Sequence, residues 1–148
     1  MATATNQKTI ADYLGDMVAV ESHIEEALDR QLEMENKHPE ARAAIQEFHD
    51  MVKANRDALK AHQESTGSTA GNPIIEAGSA VLGKAAGLID KVRADTISRA
   101  LRDDYTAFNL AAVSYAMLET TARALGDDAT ARLAANGLRG HARAIQKI

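Results

Sequence analysis

The stretch DMVAVESHIEEAL, residues 16–28, sets the problem that this sequence poses. On an α-helix, residues spaced by three, four and seven positions share one face, and here that face carries Met17, Glu21, Ile24 and Leu28. Three of these side chains are apolar and belong in a protein core. The fourth is a carboxylate, and burying an unpaired charge is very costly. We therefore expect Glu21 to have a partner, either a metal ion or a polar group on a neighbouring helix.

The helical periodicity of this stretch continues through the first 64 residues, between residues that start and stop helices. Thr9 is predicted to cap the first helix, with Asp12 three residues further on in capping-box spacing. Pro39 suits the first position of a second helix. The segment STGSTAG, residues 65–71, is rich in Gly, Ser and Thr and is predicted to end that helix.

The remainder of the chain predicts a crossover followed by two more long helices. Residues 72–92 contain three glycines and are interpreted as one broken helix or two short ones that cover one end of a bundle. A long helix is predicted from residue 95 or 96 to Leu125, with Gly126 just past its end. Asp127 or Asp128 is expected to cap the last helix. Two helix pairs joined by one long connection form a four-helix bundle.

The composition bounds the functions that this bundle can have. Aromatic residues make up only 3% of the chain, so the core must be built from small and aliphatic side chains. The formal net charge of −4 and the shortage of aromatics argue against nucleic-acid binding. The absence of cysteine excludes disulfides and thiolate metal sites. No secretory leader or membrane-spanning stretch is seen, so we expect a cytoplasmic protein that binds no membrane.

Two segments resemble the YciE/YciF-type ferritin-like stress protein family. The first is LGDMVAVESHIEEAL, residues 14–28, and the second is YAMLETTARALGDDATARLAANGL, residues 115–138. The matching residues are Leu14, Asp16, Ala19, Glu21, Ala27 and Leu28 in the first segment, and Tyr115, Leu118, Ala122, Leu125, Gly126, Ala131 and Leu133 in the second. The resemblance implies a single ferritin-like, all-α four-helix bundle domain over residues 1–148, with a short crossover helix region between the helix pairs.

The resemblance also implies a di-iron carboxylate site, which takes its ligands from all four helices of such a bundle. Glu21 falls on the first ligand position of the family. The remaining ligand positions hold different residues, namely Met51 or Val52 and Asn55 on the second helix, Phe108 and Ala111 on the next long helix, and Gly140 or His141 on the last. One carboxylate, one imidazole and one amide cannot hold two iron ions. The activity of a di-iron enzyme is therefore not expected.

Three functions are compatible with this pattern. The first is a stress-associated bundle that has lost its di-iron site, binds no cofactor and acts as a structural or protein-interaction module, as a homodimer and without enzymatic activity. The second is a protein that binds iron or another divalent metal at a reduced site formed by Glu21, Asn55 and His141. The third is a protein that binds a small apolar ligand in the bundle core.

For Glu21 the interpretation that we favour is a buried carboxylate hydrogen-bonded to His141 or to a tyrosine hydroxyl. Tyr105 and Tyr115 are predicted to pack in the core with their hydroxyl groups hydrogen-bonded. The other acidic clusters are interpreted as solvated faces, namely Asp103 with Asp104, and Glu25 and Glu26 with Asp29 and Arg30.

Overall fold

Four α-helices build the fold, in a computed structural model that describes residues 4–34, 38–67 and 97–148. They are α1 (Ala4–Glu33), α2 (Pro39–Thr66), α3 (Ile97–Ala124) and α4 (Asp128–Lys147). This is the all-α four-helix bundle that the sequence predicts. The predicted crossover, residues 72–92, lies outside the described residues. No described helix contains an apolar stretch long enough to cross a membrane.

The ends of the helices follow local sequence signals at most positions. Pro39 begins α2, where the missing N–H of proline costs no hydrogen bond. Gly67 ends α2 with a φ of 68°, and Gly126 follows α3 with a φ of 77°. Both glycines have the left-handed conformation that side chains with a Cβ rarely adopt. Asp127 is the N-cap of α4 and accepts a hydrogen bond from the backbone N–H of Thr130, which confirms one of the two predicted caps.

The prediction that Thr9 caps the first helix is wrong. α1 already begins at Ala4, so Thr9 lies in its second turn. The hydroxyl group of Thr9 donates to the carbonyl oxygen of Thr5, at 3.0 Å. A threonine hydroxyl can make this bond to the preceding turn of a helix, so Thr9 is accommodated inside α1.

Neighbouring helices in the bundle run antiparallel. α1 packs on α2 and α3, and α4 packs on α3 and α2. The direction of α3 relative to α1 follows from Gln31, near the end of α1, which contacts Asp104 in the second turn of α3. In the same way His62, near the end of α2, contacts Thr130 at the start of α4. α1 and α4 therefore lie diagonally opposite each other, and a contact between them must cross the centre of the bundle.

Small residues line the buried face of α4. Apart from His141, all the residues of this face are small, namely Thr130, Ala131, Ala134, Gly137, Gly140 and Ala144. Leu138 and Ile145, which are larger, are only half-buried and lie beside it. Because the buried face is so flat, the other helices approach the backbone of α4 closely, which is how a core with few aromatics is filled.

The apolar core consists of two clusters with a polar layer between them. One cluster contains Leu14 and Met17 of α1 with Leu118 and Ala122 of α3. The other contains Ile24 and Leu28 of α1, Ile45, Phe48 and Val52 of α2, and Phe108 and Ala111 of α3. Glu21 lies between the two clusters along α1, and His141 lies at the same level on α4. The unusual glutamate of the apolar stripe is thus placed at the centre of the bundle.

Candidate functional site

One oxygen of Glu21 collects hydrogen bonds from the other three helices. The side chain is completely buried. Its Oε1 accepts from the hydroxyl of Tyr115 on α3 at 2.6 Å, from Nε2 of His141 on α4 at 2.9 Å and from Nδ2 of Asn55 on α2 at 3.1 Å. Three donors around one oxygen supply the compensation that a buried carboxylate needs. We call these four residues the central polar layer.

Tyr115 reaches Glu21 because a glycine lies behind its ring. A Cβ atom on Gly137 would overlap three carbons of the Tyr115 ring, Cζ, Cε1 and Cε2. The ring therefore lies directly against the backbone of α4. Burial, and then the charge of Glu21 and the hydrogen bond to it, raise the pKa of Tyr115 far above its usual range. Tyr115 is consequently a donor at any physiological pH.

The prediction that Tyr105 also packs in the core is wrong. Its side chain is 47% exposed, whereas Tyr115 is 1% exposed. Tyr105 directly follows the buried Asp104 on α3, and one helical step of about 100° turns its side chain off the buried face. Tyr115 lies about 20° around the helix from Asp104, so it stays on that face.

His141 connects the diagonally opposed helices α1 and α4. Its ring is fully buried and packs near two aromatic rings, with centroid distances of 5.4 Å to Phe108 and 5.7 Å to Tyr115. Because the Glu21 oxygen accepts, Nε2 of His141 carries a proton. Two buried atoms of this pair, Nδ1 of His141 and Oε2 of Glu21, have no hydrogen-bond partner among the residues that the structure describes.

Asn55 differs from the other members of the central polar layer because it is half-buried. Its Nδ2 lies 3.2 Å from the sulfur of Met51 as well as 3.1 Å from Glu21. The layer is thus closed by buried side chains on α1, α3 and α4 and reaches towards solvent on the side of α2.

The structure brings together the three residues singled out from the sequence. Asn55 and His141 both lie within hydrogen-bond distance of Glu21. The expected tyrosine hydroxyl, which the sequence does not assign to a particular residue, is that of Tyr115. Whether these residues bind a metal stays a prediction. In residues 4–34, 38–67 and 97–148, no group of three or more His, Cys, Asp or Glu side chains is arranged to hold a metal ion.

Comparison with known proteins gives the family. The profile of the domain of unknown function DUF892 matches residues 5–146. The chain belongs to the DUF892 family. DUF892 is a family of ferritin-like fold, so the all-α four-helix bundle implied by the resemblance is confirmed. The single domain over residues 1–148, the crossover helix region and membership of the YciE/YciF type stay predictions. None of the curated proteins compared with the chain matches it.

A solved structure shares the fold of this DUF892 chain. It is a crystal structure of a protein from Xanthomonas campestris pv. campestris, with a TM-score of 0.77 and 14% sequence identity. The match covers 97% of the present chain and 88% of the Xanthomonas protein. At this level of identity the similarity establishes the fold alone.

A second polar cluster joins α1 and α2 in the DUF892 chain, and it corrects the interpretation of Glu25 as solvated. Glu25 is buried, and its Oε2 accepts a hydrogen bond from Arg56. Nε2 of His49 lies 3.0 Å from Asp29 and 4.0 Å from Glu25. Asp29 is exposed, as predicted, so only the inner part of this acidic cluster is buried.

A third polar contact joins α1 and α3, where the interpretation of Asp104 as solvated is wrong. Asp104 is 3% exposed, and its Oδ1 accepts from Nε2 of Gln31 at 2.7 Å. Burial raises the pKa of Asp104 to about 6, the hydrogen bond from Gln31 opposes this shift, and the neighbouring Asp103 adds to it. Among the described residues, Oδ2 of Asp104 and Oε1 of Gln31 have no partner.

Proposed function

We propose that this DUF892 chain is a non-enzymatic helical module in which a hydrogen-bonded polar layer takes the place of a di-iron site. One observation carries the proposal, namely that Oε1 of Glu21 accepts hydrogen bonds from Tyr115, His141 and Asn55, one on each of the other three helices. The carboxylate that the ferritin-like resemblance implies as an iron ligand has protein partners instead. The stress association implied by the same resemblance belongs to this proposal, and so does the cytoplasmic location expected from the sequence.

The residues at the implied ligand positions support this proposal through their chemistry. A di-iron carboxylate site needs a glutamate from each of two helices and a Glu-x-x-His pair from each of the other two. The side chains at most of those positions here have no oxygen or imidazole nitrogen to offer, being Met51 or Val52, Phe108 and Ala111. Phe108 and Ala111 are completely buried and pack in the apolar core. These residues do not fit a pair of iron ions.

The central polar layer can instead fix how the four helices fit together. A hydrogen bond to a charged group contributes about 1.5–3 kcal/mol, and a buried donor or acceptor left unpaired is penalised. Sliding one helix by a turn would separate Glu21 from Tyr115 or His141 and leave polar groups unpaired in the core. Buried polar residues set helix register in other helical assemblies in the same way. A protein with this centre is suited to a structural or binding role that requires a rigid bundle.

A second candidate, a reduced metal site, is favoured by one geometric observation. Oε1 of Glu21 and Nε2 of His141 are 2.9 Å apart, and this is close enough for both atoms to bind one metal ion at bond lengths of about 2.0–2.2 Å. Oε2 of Glu21, which has no hydrogen-bond partner in the part of the chain that the structure describes, would then be a further ligand atom. In this case Asn55 would complete the site from α2, as the sequence predicts.

Elemental analysis separates the two candidates. The untagged chain and the variants Glu21→Gln and Glu26→Gln are purified without chelator, incubated with ferrous iron, manganese or zinc, and desalted before metal is measured. Glu26 is exposed on the same helix, so Glu26→Gln is the matched control. We expect no stoichiometric metal in any of the three proteins, with Glu21→Gln lowering only the free energy of unfolding.

Near-stoichiometric metal in the wild type and in Glu26→Gln, but not in Glu21→Gln, would overturn the proposal in favour of the reduced site. Thermal unfolding gives an independent reading, because a metal that binds only the folded state raises the melting temperature. Calcium serves as the control cation in these unfolding measurements. An apolar molecule that co-purifies with the chain and is released on unfolding would also contradict the proposal, and would support a ligand-binding core.

A further inference from the structure

The outer face of α3 carries a strip of exposed apolar side chains. Among the described residues, Leu110, Val113 and Met117 are more than half exposed, at 54%, 59% and 51%. Their spacing of three and four residues places them on one side of the helix. The exposed Thr106 and Thr120 continue the same spacing in both directions. We call these five residues the α3 strip.

The α3 strip resembles the seam of a coiled coil. Its residues follow one another at intervals of 4, 3, 4 and 3, which is the spacing of the two core positions in a heptad repeat. Residues 105–118 contain no charged side chain, although charged residues make up 26% of the whole chain. A solvated helix face normally carries charges, so this face has the composition of one that packs against another helix.

The strip is nearly symmetric about Val113, because in each direction along the helix an apolar residue comes first and a threonine second. Leu110 and Met117 flank it at nearly equal distances, and Thr106 and Thr120 lie equally far on either side. We propose that a second copy of this chain packs on the strip, with the two α3 helices antiparallel and a two-fold axis at Val113. Val113 then meets its own counterpart, Leu110 meets Met117 of the second copy, and Thr106 meets Thr120.

The charges at the two ends of the strip favour the same arrangement. Asp103 precedes the strip and Arg123 follows it, and their side chains are 38% and 59% exposed. Each also forms an ion pair within the chain, Asp103 with Arg102 and Arg123 with Glu119. Asp103 and Arg123 lie equally far from Val113 in the sequence, so the antiparallel arrangement places Asp103 opposite Arg123 of the second copy. A parallel arrangement would instead place Asp103 beside Asp103 of the second copy, and Arg123 beside Arg123 of the second copy.

The size of the strip sets how strongly the copies should associate. From residue 106 to residue 120 an α-helix rises about 21 Å, which makes a small interface of mainly one helix against another. We therefore expect a dimer that forms reversibly as the protein concentration rises. The strip does not contact Glu21, so this inference goes beyond the proposed function and can fail independently of it.

Sedimentation equilibrium over a range of concentrations tests whether the strip associates. The wild type is expected to shift from monomer to dimer, and Val113→Glu is expected to remain monomeric because it places two like charges on the two-fold axis. Tyr105→Glu is the matched control, since Tyr105 is exposed on the same helix but lies outside the strip. A wild type that is monomeric throughout, or a Tyr105→Glu variant as monomeric as Val113→Glu, would overturn the inference.

Engineered cysteines test the antiparallel arrangement, because the natural chain has none. A disulfide needs Cα atoms about 4.4–6.8 Å apart. Val113→Cys should therefore give a cross-linked dimer on mild oxidation. Leu110→Cys alone should not, because its counterpart would lie about 9 Å away along the axis. The double variant Leu110→Cys/Met117→Cys should cross-link again, through one pair on each side.

The other possible arrangements give different results. Cross-linking of Leu110→Cys as readily as Val113→Cys would indicate parallel helices and overturn the antiparallel model. A monomeric Val113→Cys chain whose thiol is protected from alkylation until the protein unfolds would show that another part of the same chain covers the strip. A monomer whose thiol reacts at once would show that nothing covers it. Circular dichroism of each variant verifies that the helices are retained.

Discussion

The hydroxyl of Tyr115 lies 2.6 Å from Oε1 of Glu21, and this bond links α3 to α1 through the centre of the bundle. The bond is short, as expected when a neutral hydroxyl donates to a carboxylate. It exists because the tyrosine ring occupies the space that a side chain at position 137 would take. Two features therefore hold the buried glutamate, the Tyr115 hydroxyl on α3 and Gly137 on α4. Each can be changed by a separate substitution.

Removing the Tyr115 hydroxyl should measure how much the central polar layer stabilises the fold. We expect Tyr115→Phe to lower the free energy of unfolding by about 1.5–3 kcal/mol, since a bond to a charged acceptor is lost and the ring is kept. Urea unfolding followed by circular dichroism gives this value. Tyr105→Phe, at the exposed tyrosine of the same helix, should change it by less than about 0.5 kcal/mol. If Tyr115→Phe and Tyr105→Phe changed the free energy of unfolding equally, the hydrogen bond from Tyr115 to the central polar layer would contribute nothing to stability.

Gly137→Ala should disturb the same bond from α4. Alanine is favoured over glycine in a helix by about 1 kcal/mol, but the added methyl group would overlap the Tyr115 ring. Overpacking of this kind costs about 1–3 kcal/mol, so we expect a net loss of stability. Near-ultraviolet circular dichroism should also change, because the tyrosine ring is displaced.

Gly140→Ala is the matched control for this variant. A Cβ atom at Gly140 would lie 3.2 Å from the sulfur of Met51, the flexible part of a side chain that can move by a few tenths of an ångström. We expect this variant to be as stable as the wild type or slightly more stable. A Gly137→Ala variant that gains stability as well would contradict the packing described for Tyr115.

The fold could be predicted from the sequence because its helices are long and strongly periodic. The starts of α2 and α4 could be located to within a residue or two because Pro39 and Asp127 have one preferred role at helix starts. The sequence misplaces the start of α1, because Thr9 resembles a helix cap but its hydroxyl bonds back to the preceding turn. Local signals alone do not distinguish these two uses of threonine.

The site could be predicted in part. Glu21 stands out because it interrupts an apolar stripe, and Asn55 and His141 stand out because they fall at ligand positions that the family resemblance implies. Gly137 was missed because a glycine in a helix gives no sign of which ring it admits. Asp104 was missed because it stands next to Asp103, although extending the buried spacing back from Phe108 by four residues leads to it. Which acidic residue faces another helix is a tertiary property.

Asp104 should make the stability of the bundle depend on pH. Burial raises the pKa of Asp104 from 3.8 to about 6 in the folded chain, so the folded state holds this proton more tightly than the unfolded state. The stability contributed by the proton is complete below 3.8 and is lost as the pH rises through about 6. The difference between the two values corresponds to at most about 3 kcal/mol.

Asp104→Asn should remove this pH dependence, because an uncharged amide can pair with Gln31 at every pH. We expect the variant to exceed the wild type in stability at pH 7 by about 1–3 kcal/mol, and the two to converge towards pH 4. Unfolding curves between pH 4 and 8 provide the comparison. Asp103→Asn, at the more exposed neighbour, should follow the wild type. A difference between Asp104→Asn and wild type that stays constant with pH would show that Asp104 does not titrate in this range.

Asp127 should give a pH dependence of the opposite sign. Partial burial acts to raise its pKa, but hydrogen bonds from the hydroxyl and backbone N–H of Thr130, together with the nearby His62, outweigh this and lower the pKa. A lowered pKa contributes stability that is present above 3.8 and is lost as the pH falls through the folded value. We expect Asp127→Ala to lower the free energy of unfolding by about 1–2 kcal/mol at pH 7, as for other helix caps, and this loss to shrink in acid.

Asp128→Ala is the control, since Asp128 lies in the first turn of α4 without being its cap. It should change the free energy of unfolding by a few tenths of a kcal/mol. If the two alanine variants lose equal stability at pH 7, the side chain of Asp127 does not act as the cap that starts α4.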